Sequence, residues 1–150
     1  MNTTSLIRLL TFSLITLTLA PLGARAEQAM SFGKYVVHYN AVQTTFLTPG
    51  IAQQYHIERS HNRAMLNITI QERTGNGFKA VPGTVTATAS NLTGQLKNIS
   101  MRQVSDGDAI YYIGVFPVDN EEVLDFSVDV RPQNSSSHHM LHFREQFFTR

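Results

Sequence analysis

Residues 123–130 read VLDFSVDV, and strict alternation of this kind constrains the fold more than any other feature of the chain. Leu124, Phe126, Val128 and Val130 fall on one side, and Asp125, Ser127 and Asp129 on the other. That is the period of a strand with one buried face. The pattern recurs. Ala64, Leu66, Ile68 and Ile70 alternate with Met65, Asn67, Thr69 and Gln71; Val85, Ala87 and Ala89 alternate with threonines; Tyr35, Val37 and Tyr39 alternate with Val36 and His38. Gln95–Val104, Ala109–Phe116 and Met140–Phe148 read as further strands, and Phe78 opens a return interrupted at Pro82-Gly83. Turn residues separate them at Thr74–Gly77, Asn91–Gly94, Ser105–Asp108, Pro117–Glu121 and Asn134–Ser137. About seven strands at roughly ten-residue spacing predict an all-β chain, an antiparallel two-sheet sandwich of immunoglobulin-like type with one short helix. Cysteine and tryptophan are absent, so the disulfide and buried indole common in such sandwiches have no counterpart here.

The amino-terminal segment follows other rules. Leu9–Ala20 is an apolar run of about 12 residues, the size of a signal-peptide core and short of the roughly 20 that a membrane-spanning helix needs. Arg8 precedes it, and Ala24-Arg25-Ala26 is a small-x-small cleavage site. The expected organisation is a signal peptide over 1–26 and a single β-sandwich domain over 27–150, exported to the periplasm, soluble and without stable membrane insertion. No cysteine stands at the cleavage site to carry a lipid. The precursor has 12 Lys and Arg against 11 Asp and Glu. Loss of Arg8 and Arg25 leaves the mature chain slightly acidic, with no basic stripe for nucleic acid. The lack of cysteine also removes thiol chemistry and suits an exported chain held by its core rather than by disulfides.

One stretch breaks the β pattern. Residues 38–61 hold His38, His56 and His61, Tyr39 and Tyr55, and a Thr48-Pro49-Gly50 break. Thr48 is a capping hydroxyl and Pro49 suits the first helical position, so Pro49–Tyr55 is expected to form a helix of about two turns. Arg59 and Arg63 present guanidinium forks suited to an anion or a partner's carboxylate. The structural alternative is that Arg59 pairs with Glu58 or Glu145 and pins the stretch to the sandwich. A second cluster, His138-His139-Met140-Leu141-His142, puts His138, Met140 and His142 on one strand face, a donor set suited to copper or zinc, although its spacing matches no zinc signature. No catalytic constellation is visible: there is no Gly-x-Ser-x-Gly elbow around Ser60 and His61, and Asp106, Asp108, Asp125 and Asp129 read as turn and solvated-face residues. The chain is therefore not expected to be an enzyme.

The segments Tyr35–Asn40, Phe46–Pro49 with Ile51-Ala52 and Tyr55, Ile57–Ser60, Leu66–Ile70, Asn91–Gln95, Ile110–Tyr112 and Phe143–Phe148 resemble domain-of-unknown-function family 4426 of small exported Gram-negative bacterial proteins. The resemblance implies a periplasmic β-sandwich and supplies no activity and no catalytic residues. It is densest over His38–Ser60. The functional expectation is a non-enzymatic binding or assembly module that needs no cofactor and contacts an unidentified periplasmic protein or small ligand. Its 38–61 connection is expected to cap one end of the sandwich, with Tyr39, Asn40, Tyr55 and Arg59 lining a polar groove and Arg63 beside them. The alternative is a small-ligand or copper- or zinc-handling protein that uses His138, Met140 and His142.

Overall fold

The computed structural model describes residues 28–150; the expected signal peptide lies outside the described residues. These form β1 (Gln28–Phe32), β2 (Tyr35–Gln43), a 3-10 turn (Thr44–Phe46), α1 (Pro49–Gln54), β3 (Arg63–Thr74), β4 (Gly77–Ala80), β5 (Gly83–Asn91), β6 (Leu96–Ile99), β7 (Arg102–Asp106), β8 (Ala109–Pro117), β9 (Glu122–Pro132) and β10 (His139–Phe147). One sheet runs β1-β2-β3-β8-β7, with β4 also paired to β3; the other runs β10-β9-β5-β6. Every pairing is antiparallel. The chain crosses between the sheets after β4, β6 and β8, so the two-sheet antiparallel sandwich expected from the alternation is what forms.

The inner faces are the ones the period predicts. Leu66, Ile68 and Ile70 on β3 meet Leu124, Phe126, Val128 and Val130 on β9, all at 0 or 1% exposure. Each such side chain contributes about 1.5–3 kcal/mol on burial. Phe126 stacks on Phe143 with ring centroids 4.6 Å apart and meets Phe116 edge-on at 5.6 Å.

The strand count differs from the expected seven or so: ten strands form among the described residues. β1 was not anticipated. It pairs with β2 through a two-residue turn in which Gly33 takes φ +59°, the position where a hairpin favours glycine. β4 is a separate strand because Pro82-Gly83 carries the chain out of the first sheet. Gln95–Val104, expected as one strand, is two. The chain leaves β6 in one sheet and enters β7 in the other, crossing directly over Gly114 of β8. A Cβ on Gly114 would lie 2.5 Å from Ile99 and 2.6 Å from Met101, so the missing side chain makes room for the crossing.

At the rim, one ion pair is withdrawn from solvent. Lys97 Nζ donates to Glu122 Oε2 at 2.7 Å, with side chains only 11% and 8% exposed, and to the Pro117 carbonyl at 2.9 Å. The Asp119 N–H donates to the same carboxylate at 2.9 Å. Burial pushes the Glu122 pKa up, but the Lys97 hydrogen bond, the Asp119 N–H and the Lys97 charge outweigh it and hold the group below its ordinary value. A depressed carboxyl contributes stability above its unfolded pKa of about 4.3, and that contribution disappears as pH falls through the folded value. Lys97→Met is expected to cost about 3–5 kcal/mol by stranding Glu122. Urea unfolding at neutral pH should show this loss, and the gap between variant and wild type should narrow on acidification. An equal gap at both pH values would contradict the assignment.

Candidate binding surface

The 44–61 connection is built around one hydroxyl. Thr44 is 0% exposed. Its Oγ1 donates to the Ser60 carbonyl at 3.1 Å and accepts from the Ser60 N–H at 2.9 Å, tying the first residue of the excursion to its end. The Leu47 N–H closes the 3-10 turn on the Thr44 carbonyl at 3.3 Å. Thr48 then caps α1 as the sequence predicts, accepting from the Ile51 N–H at 3.3 Å with Pro49 in the first turn. The helix ends at His56, which takes φ +53°. The His56 N–H reaches the Gln53 carbonyl at 3.2 Å, and the Ile57 N–H reaches the Ala52 carbonyl at 2.8 Å. This is the Schellman pattern, with histidine where glycine is usual.

The connection does not cap an end of the sandwich. Leu47, Tyr55 and Ile57 pack against Met65, Ile113 and Val115 and form a second apolar cluster. Met65 and Val115 face each other across β3 and β8, on the side opposite Leu66 and Ile68. The connection therefore lies across the outer face of the first sheet, and Met65, expected on a solvated side, is only 9% exposed. The Tyr55 hydroxyl donates to Asp106 Oδ2 at 3.1 Å, and Arg102 donates to the Tyr55 carbonyl. Burial and then Asp106 push the Tyr55 pKa up.

The five expected binding residues are split by this arrangement. Tyr39 lies on the inner side with its ring 4.6 Å from that of Phe143. Asn40 is exposed and points the other way along β2. Tyr55 sits in the outer cluster. Arg59 Nη2 donates to the Thr45 carbonyl at 3.0 Å. Arg63 approaches Glu58 at 3.7 Å, with both side chains exposed. Tyr39 and Tyr55 therefore lie on opposite sides of the first sheet. What the connection presents instead is apolar. Phe46 is 75% exposed, Ile51 42% and Phe148 54%. Phe46 and Phe148 border a groove of about 290 Å³ floored by Ala41, Val42 and Phe147, with Glu145 and Arg150 also lining it. Gln43 ties its two sides by donating to the Phe148 and His61 carbonyls. Sequence reasoning missed Phe46 and Phe148 because an aromatic residue in a turn or after a final strand carries no sign of its exposure.

Met140 and His142 share an outward face of β10, and His138 stands just before the strand. The structure adds a carboxylate from the neighbouring strand: His138 Nδ1 is 2.9 Å from Asp129 Oδ2. His142 Nδ1 is 3.2 Å from Ser127 Oγ. Four positions on an extended strand span about 13 Å, so His138 and His142 are spread rather than gathered. No group of three His, Cys, Asp or Glu side chains converges among the described residues. His139 turns inward and stacks on Phe32 at 4.5 Å.

The fold and this surface define a β-sandwich with one outer face covered by its own helical connection. The model of DUF4426, a domain of unknown function, matches residues 29–150, and the chain belongs to that family. It is similar to the crystal structure of a DUF4426 family protein from Pseudomonas aeruginosa PAO1, with 30% identity and a TM-score of 0.72 over 83% of this chain and 97% of that one. It is also similar in fold to FetP of uropathogenic Escherichia coli strain F11, with 10% identity and a TM-score of 0.60 over 81% of this chain and 93% of that one. A copper-bound variant of that FetP gives 12% identity and a TM-score of 0.56 over 81% and 90%. Among curated proteins none matches. No helix among the described residues is long and apolar enough to cross a membrane.

His56 carries the conformational cost of the helix end. Replacing it with glycine should stabilise the fold by about 0.5–1 kcal/mol, because glycine adopts the left-handed region without a Cβ penalty. Thermal unfolding of His56→Gly reads this directly. A lower midpoint would mean that the imidazole makes a contact that outweighs its backbone strain.

Proposed function

We propose that the protein is a non-enzymatic periplasmic binding or assembly module that docks a protein partner on the surface built by the 44–61 connection and the carboxy-terminal residues. The observation that carries this is Phe46: an aromatic side chain 75% exposed on a turn whose first residue is fully buried and doubly hydrogen-bonded. Large apolar side chains held rigidly in solvent are the usual anchors of protein interfaces. Phe148 lies across the groove, and Gln43, Glu145, Gln146 and Arg150 supply its polar lining. The fixed backbone lowers the ordering cost that a mobile loop would meet on binding. Export through the segment expected at 1–26 would bring this surface to the periplasm.

A photoreactive residue placed at position 46 in intact cells, followed by mass spectrometry of the adducts, tests the reading. One recurrent protein adduct, lost on Phe148→Ala, is the expected result; absence of any protein adduct contradicts it. Phe148→Ala, at a residue 54% exposed, should change stability by no more than about 0.5 kcal/mol, as for a surface substitution, so loss of the adduct in that background would not reflect unfolding.

A second reading rests on Asp129. Its carboxylate joins His138 beside Met140 and His142, which enlarges the donor set that suits copper or zinc; the similarity in fold to a copper-bound protein agrees with it without assigning a site. Titration with copper or zinc should then raise the thermal midpoint through preferential binding to the native state, and His138→Ala should abolish the rise. An unchanged midpoint at excess metal would remove this reading.

A further inference from the structure

Where the chain passes from β4 to β5, an open depression of about 660 Å³ lies against the loop that follows β9. Its walls are fixed by backbone contacts. A Cβ on Gly83 would stand 2.5 Å from the Arg131 carbonyl and 2.9 Å from Ile70, so only glycine lets the crossing strand approach this closely. The Gly83 N–H donates to the Tyr112 hydroxyl at 2.7 Å, and that hydroxyl lies 3.0 Å from the Gly83 carbonyl and 3.2 Å from Gln103 Oε1. The Gln133 N–H donates to the Pro82 carbonyl at 2.8 Å, and the Ser135 N–H to the Pro132 carbonyl at 3.0 Å.

The lining is chemically one-sided. Arg131 is the charged residue in it, and the other polar side chains are the hydroxyls of Thr84, Ser135 and Ser136 and the amides of Gln103 and Gln133. No carboxylate lines the depression. The Arg131 guanidinium has no ion pair or hydrogen bond among the described residues. The contrast with Arg144 is direct: that side chain, also on the outer side of the second sheet, is held bidentately by Asp125 at 2.6 and 2.8 Å. Asp129, two positions before Arg131 on the same face of β9, is engaged by His138. An exposed guanidinium without a counterion, on a residue that lines a hollow edged by neutral hydroxyls and amides, matches a carboxylate or phosphate bound bidentately. The volume lies in the range of small-ligand sites.

We propose that this depression binds a small hydroxylated ligand bearing an oxyanion, with the anionic group on Arg131 and the ligand hydroxyls on Ser135, Ser136 and the glutamine amides. The site is separate from the Phe46 surface and does not depend on it.

Titration of the 15N-labelled protein with inorganic phosphate, glucuronate and glucose, followed by amide chemical shifts, tests the proposal. Phosphate or glucuronate should give saturable shifts confined to Gly83, Thr84, Gln133, Ser135 and Ser136, and glucose should not. The stronger of the two anions distinguishes a phosphate group from a sugar acid. Arg131→Gln should weaken binding about tenfold or more by removing the charge-assisted pair. Arg131→Lys should retain part of it, and Arg144→Gln should leave it unchanged. No saturable shift with either anion, glucose binding as tightly as glucuronate, or undiminished binding in Arg131→Gln would each overturn the assignment.

Discussion

The buried hydroxyl of Thr44, bonded to both the N–H and the carbonyl of Ser60, is the contact on which the outer half of the molecule depends. It closes an excursion of some fifteen residues into a loop with fixed ends. An unmade pair at that position would leave the Ser60 N–H without a partner, at a cost of about 1–3 kcal/mol, and the Ser60 carbonyl with only the Arg63 N–H at 3.3 Å. With the ends fixed, the Schellman turn at His56 aims Ile57 at the sheet, and Ile57 is 6% exposed in the outer cluster. The presentation of Phe46 follows from the same closure, because its turn begins at Thr44.

The two sheets meet solvent differently as a result. The first has its outer side covered by Leu47, Tyr55 and Ile57, so both faces of β3 are in part apolar. The second leaves a polar outer face of threonines, Asp125, Ser127 and Asp129, on which Arg144 and His138 find carboxylates. The proposed anchor for a protein partner is on the connection, whereas the proposed counter-charge for a small anionic ligand is at the edge of the second sheet. These two proposed surfaces differ in chemistry.

The central core strands were legible in the sequence, since Ala64–Ile70 and Val123–Val130 carry the period that sets which side is buried, whereas Val118, 2% exposed in the core, was read as part of a loop. The helix start was legible too, from Thr48 and Pro49. What alternation cannot report is a change of sheet within a run of strand-like residues. Gln95–Val104 keeps its pattern while crossing over Gly114, and the glycine that permits the crossing lies in another strand. Placement of the connection was hidden for a similar reason: Met65 reads as the outer side of its strand, and only the folded chain shows Ile57 packed with Met65, Ile113 and Val115. Arg59 was read for its charge, and its bond to the Thr45 carbonyl is a backbone contact that side-chain chemistry alone does not announce. His138 gained Asp129 from strand pairing, which spacing along one strand does not reveal. The count of strands failed at β1, a short strand defined by the turn at Gly33 rather than by its own alternation.

Hydrogen exchange on Thr44→Val, compared with the wild type, tests most directly whether the connection is a built part of the fold. Valine keeps the volume and removes both hydroxyl bonds. The predicted result is faster exchange confined to residues 44–61, with the amides of Ser60 and Ile57 most affected, while β3 and β9 keep their protection. Unchanged protection across 44–61 would contradict the account, because the surface carrying Phe46 would then owe its order to something other than Thr44.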